Sequence, residues 1–128
     1  MKKQEAQFRF LDFKVVKSIY QIDAQKFKQG GKLDVNFKFP TELDFAQKNL
    51  ISFPMEVLIE NEDKSLRIQV GIIGIFESDV DLTKEKSFVE ISAPAIIFPY
   101  IRAYVSNLTS MSGIQPILLP TYNMTKNV

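Results

Sequence analysis

The stretch that decides the fold is residues 94–124, PAIIFPYIRAYVSNLTSMSGIQPILLPTYNM. Its first half predicts an α-helix, because apolar residues recur every three or four positions and so fall on one helical face. The members of that face are Ile97, Ile101, Tyr104, Val105, Leu108 and Met111. The side assigned to solvent carries Arg102, Ser106, Thr109 and Ser110.

The ends of this helix also have sequence signals. Ser92 is a candidate N-cap just before Pro94, and Gly113 suits the left-handed residue after the last turn. Pro99 would bend a helix that starts at Pro94, whereas it would be a normal first-turn proline in a helix that starts near Phe98. Both starting points remain open at this stage.

A second face of the helix is small or amphipathic rather than charged. It consists of Ile96, Tyr100, Ala103 and Asn107. A face without charges predicts burial on two sides, once by the sheet of the same chain and once by another subunit or a ligand.

The helix and the loop after it resemble the SecB protein-export chaperone family. The pattern consists of Phe98-Pro99-Tyr100, Arg102, Val105, Leu108, Gly113, Pro116, Leu119-Pro120 and Asn123, and the match covers about 30 of the 128 residues. The resemblance implies a four-stranded antiparallel sheet with helices on one face, assembled as a dimer of dimers. It also implies ATP-independent holding of unfolded chains, typically precursors that await export.

Length and composition favour one soluble domain over residues 1–128. Apolar residues make up 45% of the chain, charged residues 24%, and the net charge is +1, so no nucleic-acid partner is expected. With no cysteine or histidine, we expect no enzyme, metal or cofactor. Asp79 and Asp81 could chelate a hard cation, but no third ligand is evident. Without a signal peptide or an unbroken apolar run of about 18 residues, we expect a cytoplasmic protein that does not insert into membranes.

The chain before the helix predicts strands at 8–22, 32–39, 50–60 and 65–77. A phase shift near Val15 and Val16 predicts a bulge, and Pro54 predicts an edge or bulge. Residues 41–49 are predicted to be a polar connection or short helical turn, and residues 78–91 a solvated connection. The prediction is an α+β fold: a four-stranded antiparallel sheet with one long helix and an apolar, proline-containing loop on one face.

The proline-containing loop, residues 114–124, is predicted to lie extended on an apolar surface, and in the SecB family it helps to wall a peptide groove. If strand 32–39 and this loop flank the helix, aromatic and aliphatic side chains are available to an extended apolar peptide. The candidate peptide-binding residues are Phe37, Phe39, Phe45, Tyr100, Ile114, Leu118 and Tyr122. Phe37 and Phe39 also fit a plain core assignment, because they alternate along a strand.

Two departures from the SecB family bear on partners. Lys14 and Lys17 lie on the first strand, where members that deliver cargo to the secretion motor ATPase present acidic residues on the outer sheet face, and the sequence stops soon after Met124. These features argue against transfer to that motor and leave an aggregation-prone antitoxin as an equally suitable client. One helix and a short loop cannot cover both faces of the longest strands, so we expect a homotetramer.

Two other classes remain open. The chain could be an adaptor or structural subunit for one fixed protein partner, or a small-ligand carrier.

Overall fold

The computed structural model describes residues 7–120, which form one antiparallel sheet with a helix on one face. The elements are β1 (Phe8–Ile22), β2 (Leu33–Lys38), β3 (Asp44–Gln47), β4 (Leu50–Asn61), β5 (Leu66–Ser78), a 3-10 turn (Leu82–Lys84) and α1 (Lys86–Met111). The strand order is β1-β5-β4-β2, and β3 also pairs with β4. The predicted α+β architecture is confirmed, with five strands instead of four.

The first strand is long and bent. Its register against β5 shifts between Phe10 and Asp12 and again between Val15 and Lys17. The predicted bulge near Val15 and Val16 is confirmed, and the bulge at Leu11 is an additional one. Because β1 pairs only with β5 in the part of the chain that the structure describes, its other side forms an edge of the sheet.

The strand predicted at residues 50–60 is confirmed as β4, and its side chains alternate between buried and more exposed positions. Its fully buried residues are Ile51, Phe53, Met55, Val57 and Ile59. Pro54 points to the other face and lies between the Lys38–Glu56 pair of β2 with β4 and the Asp44–Ser52 pair of β3 with β4. A residue without an N–H group is tolerated where one side of the strand has a gap.

The prediction for residues 41–49 is wrong, because this segment contains strand β3. Phe45 lies opposite Ile51, and a register shift separates Phe45 from Gln47. The first residues of β4 extend past the end of β2, so they offer free backbone groups that even a polar segment can pair with.

The predicted start of the helix is also wrong. Helix α1 begins at Lys86, so Ser92 is not its N-cap, and both Pro94 and Pro99 lie inside it. Leu82 and Val89 belong to the segment predicted to be a solvated connection, yet both are buried. These two apolar anchors outweigh the surrounding charges and extend the helix.

The helix packs on the sheet through a stripe of buried residues. They are Val89, Ala93, Pro94, Ile97, Phe98, Ile101, Val105 and Thr109. Two assignments of helix faces are corrected here: Met111 is 88% exposed although it was assigned to the packing face, and Thr109 is fully buried although it was assigned to the polar side. Because the true stripe ends at Thr109, Met111 lies about 200° away from it.

By length and composition alone, α1 could cross a membrane. Its best 18-residue window has a mean hydropathy of 1.3, and 39% of that window is buried. Helices that pack on a protein core have the same properties, so the observation carries little weight for membrane insertion.

Candidate peptide-binding cleft

The end of α1 redirects the chain back towards the sheet. Gly113 has φ of +88°, which confirms the predicted left-handed residue after the last turn. The Ser112 hydroxyl donates to the carbonyl of Leu108 (2.6 Å), and the N–H groups of Ser112 and Ile114 both donate to the carbonyl of Thr109 (3.2 and 3.4 Å). These bonds satisfy carbonyls that would otherwise lack partners at the helix end.

The loop after the helix lies extended along the core, as predicted for its described part, residues 114–120. Ile117 and Leu119 are buried, whereas Leu118 between them is 67% exposed. The buried Thr109 hydroxyl accepts the N–H of Ile117 at 2.9 Å. The loop is therefore attached by alternate side chains and one backbone bond, with Leu118 facing solvent.

A cleft of about 250 Å³ lies between this loop, the β1–β2 connection and the turn between β4 and β5. Its lining consists of Phe27, Lys28, Gln29, Gly30, Gly31, Leu33, Asn61, Leu66, Ile114, Gln115, Pro116, Ile117 and Leu118. The N–H of Gln115 donates to Oε1 of Gln29 at 3.1 Å, so one backbone–side-chain bond joins the two walls. Gly30, with φ of +90°, turns the β1–β2 connection towards the loop.

The cleft carries little charge. Among the described lining residues, Lys28 is the single charged side chain, and the others are apolar or carry amide groups. Leu33 and Leu118 are 39% and 67% exposed at its rim. A surface with little charge and exposed leucines is suited to apolar side chains, which gain by leaving water and need little particular geometry.

The described residues offer no grouping suited to a metal. Within residues 7–120, no three His, Cys, Asp or Glu side chains lie close enough to hold an ion. Asp79 accepts from Arg9 at 2.9 Å, and this bond lowers the pKa of its carboxyl group. Asp81 caps the 3-10 turn by accepting the N–H of Thr83 at 2.9 Å, and its pKa is lowered mainly by its side-chain bond to Thr83.

The sequence-predicted binding residues occupy three places. Ile114 and Leu118 line the cleft. Phe37 and Phe39 are half-buried along the β2 edge, where Phe37 contacts Phe98 at a ring-centroid distance of 5.7 Å. Phe45 is half-buried on β3, which pairs with the same side of β4. Tyr122 lies outside the described residues.

Tyr100 lies at the opposite edge of the sheet. Its ring centroid is 4.8 Å from that of Phe13 and 5.2 Å from that of Phe10, both on β1. Tyr100 is 42% exposed and Phe13 36%. Since Phe98 and Tyr100 are two residues apart on a helix, their side chains point to opposite edges, and the predicted residues do not form one continuous groove.

Sequence reasoning missed two side chains that help to form the cleft, Phe27 and Leu33. Leu33 shares the phase of Phe37 on its strand, and that alternation alone predicts a half-buried side chain. It is exposed because it begins an edge strand and follows the turn at Gly30 and Gly31. The paired glycines before an apolar residue were the signal for a surface turn at this position.

Comparison with known proteins places this geometry in a family. The model of the family described as preprotein translocase subunit SecB matches residues 16–126. An uncharacterized protein of Methanocaldococcus jannaschii is 28% identical over 117 residues, which are 86% of this chain and 76% of that protein. The protein-export protein SecB of Orientia tsutsugamushi is 29% identical over 105 residues, and the match spans 81% of this chain but only 64% of the Orientia protein.

A solved structure shows the same fold. It is a SecB-like chaperone of Mycobacterium tuberculosis in complex with a peptide from the HigA1 antitoxin, similar at a TM-score of 0.71 and 15% identity over 91% of this chain and 87% of that one. The match to the SecB family model covers most of the chain and includes the helix, the loop and four of the five strands. The chain therefore belongs to the SecB family.

Proposed function

We propose that this protein is an ATP-independent holding chaperone that binds unfolded or nascent polypeptides through its apolar cleft. The observation that carries the proposal is the cleft at the end of the sheet, where Leu33 and Leu118 remain exposed above a nearly uncharged lining of apolar and amide side chains. A folded protein rarely leaves clustered apolar side chains uncovered unless they serve as a contact site.

The energetics suit weak and unselective binding. Burying apolar surface contributes about 25 cal/mol per Å², so one large side chain covered on binding contributes about 1.5–3 kcal/mol. A few such contacts, together with hydrogen bonds to the amide groups of the walls, give useful affinity for many extended segments. The half-buried Phe37, Phe39 and Phe45 would extend the contact along the β2 edge, and Ile114 would contribute from the loop.

The chemistry of the outer sheet face bears on the choice of client. Lys14 and Lys17 lie on β1 opposite Ile73 and Gly71, and Lys17 pairs with Glu56 at 3.8 Å. A face with these lysines argues against docking to the secretion motor ATPase through acidic residues. The antitoxin peptide bound to the SecB-like chaperone of Mycobacterium tuberculosis supports an antitoxin as a client, in addition to a precursor that awaits export. For either client, the proposed location of the protein is the cytoplasm.

The assembly proposed for the chaperone is a homotetramer, arranged as a dimer of dimers. One exposed ridge of α1 is uncharged. It consists of Ala95, Pro99, Ala103 and Asn107, which follow each other at four-residue intervals. An exposed helix face normally carries charges, so this ridge fits a protein partner. The free edge of β1, beside Phe13 and Tyr100, offers a second surface for a copy of the same chain.

The proposal is tested by following the aggregation of two unrelated denatured proteins, without nucleotide, in the presence of the wild-type chain and of Leu118→Asp. We expect the wild type to suppress aggregation of both clients and the variant to suppress it several-fold less. Suppression of neither client would contradict the proposal. Protection of a single partner would instead indicate an adaptor, and a bound small molecule detected by native mass spectrometry would indicate a carrier.

A further inference from the structure

The buried hydroxyl of Thr109 connects the core-facing stripe of α1 to the loop of the cleft. Its side chain is fully buried near the end of the helix. Its Oγ1 donates to the carbonyl of Val105 at 2.8 Å, with the carbonyl of Ser106 at 3.2 Å. The same oxygen accepts the N–H of Ile117 at 2.9 Å.

A hydroxyl group that donates to the helix and accepts from the loop fixes the distance between them. Ile117 and Leu119 enter the core on either side of Leu118, but apolar contacts are not directional and permit the loop to slide. The bond to the Ile117 N–H removes that freedom, because a buried N–H without a partner is costly.

We infer that Thr109 is a positioning residue, whose hydroxyl holds the loop wall of the cleft in the conformation that binds clients. This inference rests on the proposed function. Thr109 is buried behind the loop and is not among the lining residues, so it acts through Ile117 and Leu118 rather than by touching the client. If the bond is lost, the loop occupies the binding conformation for a smaller fraction of the time, and the apparent affinity falls by that fraction.

The test uses Thr109→Val, which keeps the volume but removes the hydroxyl, and Thr109→Ser, which keeps the hydroxyl. The matched control is Ser112→Ala, because within residues 7–120 the Ser112 hydroxyl bonds to the carbonyl of Leu108 at the same helix end and not to the loop. Two quantities are measured in the full chain below the melting temperatures of all variants: the affinity for a permanently unfolded client, and hydrogen exchange of residues 113–120.

We expect Thr109→Val to weaken client binding about tenfold and to speed exchange in the loop. Thr109→Ser and Ser112→Ala should retain wild-type values for both. A role in stability alone would lower the melting temperature without changing affinity in the folded protein. Unchanged affinity in folded Thr109→Val would therefore overturn the inference.

If Thr109→Val does not fold, two other measurements still test the inference. Weaker client binding by folded Thr109→Ser, or exchange of the Ile117 amide in the wild type at the rate of an unstructured chain, would overturn it. A wild-type chain that binds no client would contradict the proposed function itself. Binding by the wild type with equal binding by Thr109→Val contradicts the positioning role alone.

Discussion

Gly74 shows why one residue of β5 must lack a side chain. A β-carbon added at Gly74 would lie 2.9 Å from Cδ1 and 3.1 Å from Cγ1 of Ile97, and 3.0 Å from Cε2 of Phe76. Ile97 is a fully buried residue of α1, so its side chain has little room to move. The absent side chain is what allows the helix to approach the sheet closely.

Gly74→Ala is therefore expected to reduce the free energy of unfolding by about 1–3 kcal/mol through overpacking. Gly31→Ala is the matched control, because a β-carbon there meets nothing closer than the carbonyl oxygen of Lys28 at 4.0 Å. Denaturant unfolding of both variants measures the difference. Equal stability of the two variants would show that the helix does not need this close contact.

Substitutions at Leu118 and Leu119 distinguish an effect on client binding from an effect on stability. Leu119 is fully buried and Leu118 is 67% exposed, although the residues are identical and adjacent. We expect Leu119→Ala to cost about 2–5 kcal/mol of stability, and Leu118→Ala to change stability by less than about 0.5 kcal/mol. Leu118→Ala should nevertheless weaken client binding, as measured by titration with an unfolded protein.

Single-residue assignments were predictable where only local geometry decides them. Gly113 was predicted from the need for a left-handed residue, and its φ is positive. Thr109 and Met111 were assigned to the wrong faces because residue type was weighed above spacing: Thr109 follows Ile101 and Val105 at four-residue intervals on the buried stripe. Spacing within the helix does not predict the partner of the buried hydroxyl, because the N–H of Ile117 comes from the loop eight residues later.

At the scale of elements, the strands with clean alternation were predictable and the segments of mixed polarity were not. The bulge in β1 and the buried phase of β4 follow from the order of apolar residues. Strand β3 exists because β4 has free backbone groups beside it, and α1 begins early because Leu82 and Val89 find places in the core. Both elements depend on backbone groups or apolar surface that the other elements leave uncovered.

The start of β1 is held to the end of β5 by Arg9. Its guanidinium contacts Glu77 and Asp79, each at 2.9 Å. The hydrogen bond from Arg9, followed by that from the Gln7 N–H, lowers the pKa of Asp79. A carboxylate with a lowered pKa stabilises the folded state above its unfolded pKa, and this stabilisation is lost as the pH falls through the folded pKa.

We therefore expect the melting temperature to fall with acid below about pH 4, and Asp79→Asn to reduce the size of that fall. Arg9→Gln should have the same effect, because it removes the partner that lowers the pKa. Thermal melts between pH 7 and pH 2 measure both variants. An acid dependence identical to that of the wild type in both would contradict this role of Arg9 and Asp79.

At the scale of the whole molecule, the uncharged ridge of α1 makes a prediction about assembly. Ala103 is exposed at the middle of that ridge, so Ala103→Glu should leave the fold of the subunit intact. In a tetramer it would bury a charge without a partner, which is strongly unfavourable. Light scattering should show a tetramer for the wild type and a smaller assembly for this variant.

The control for that experiment is Gln25→Glu, which introduces the same charge at an exposed position of the β1–β2 connection. It should leave the assembly unchanged. A wild-type particle of about the 14.7 kDa mass of one chain would contradict the tetramer, whatever the behaviour of the variants.

The candidate site was predictable only in part, and the reason lies in the arrangement of the whole molecule. The sequence identifies an apolar loop and several aromatic residues, but Tyr100 and Phe37 lie at opposite edges of the sheet with α1 between them. Leu33 and Phe27 join the cleft because the β1–β2 connection turns towards the loop. Such a meeting of distant segments follows from topology, not from spacing along the chain.

Hydrogen exchange of the wild-type chain, with and without an excess of an unfolded client, tests the central claim most directly, that the apolar cleft holds the client. We predict slower exchange on client binding in residues 27–33 and 113–118, which form two walls of the cleft, and no change in the 3-10 turn at residues 82–84, which follows the other end of β5. Protection confined to the outer sheet face around Pro54 and Ile73, or no protection anywhere, would contradict it.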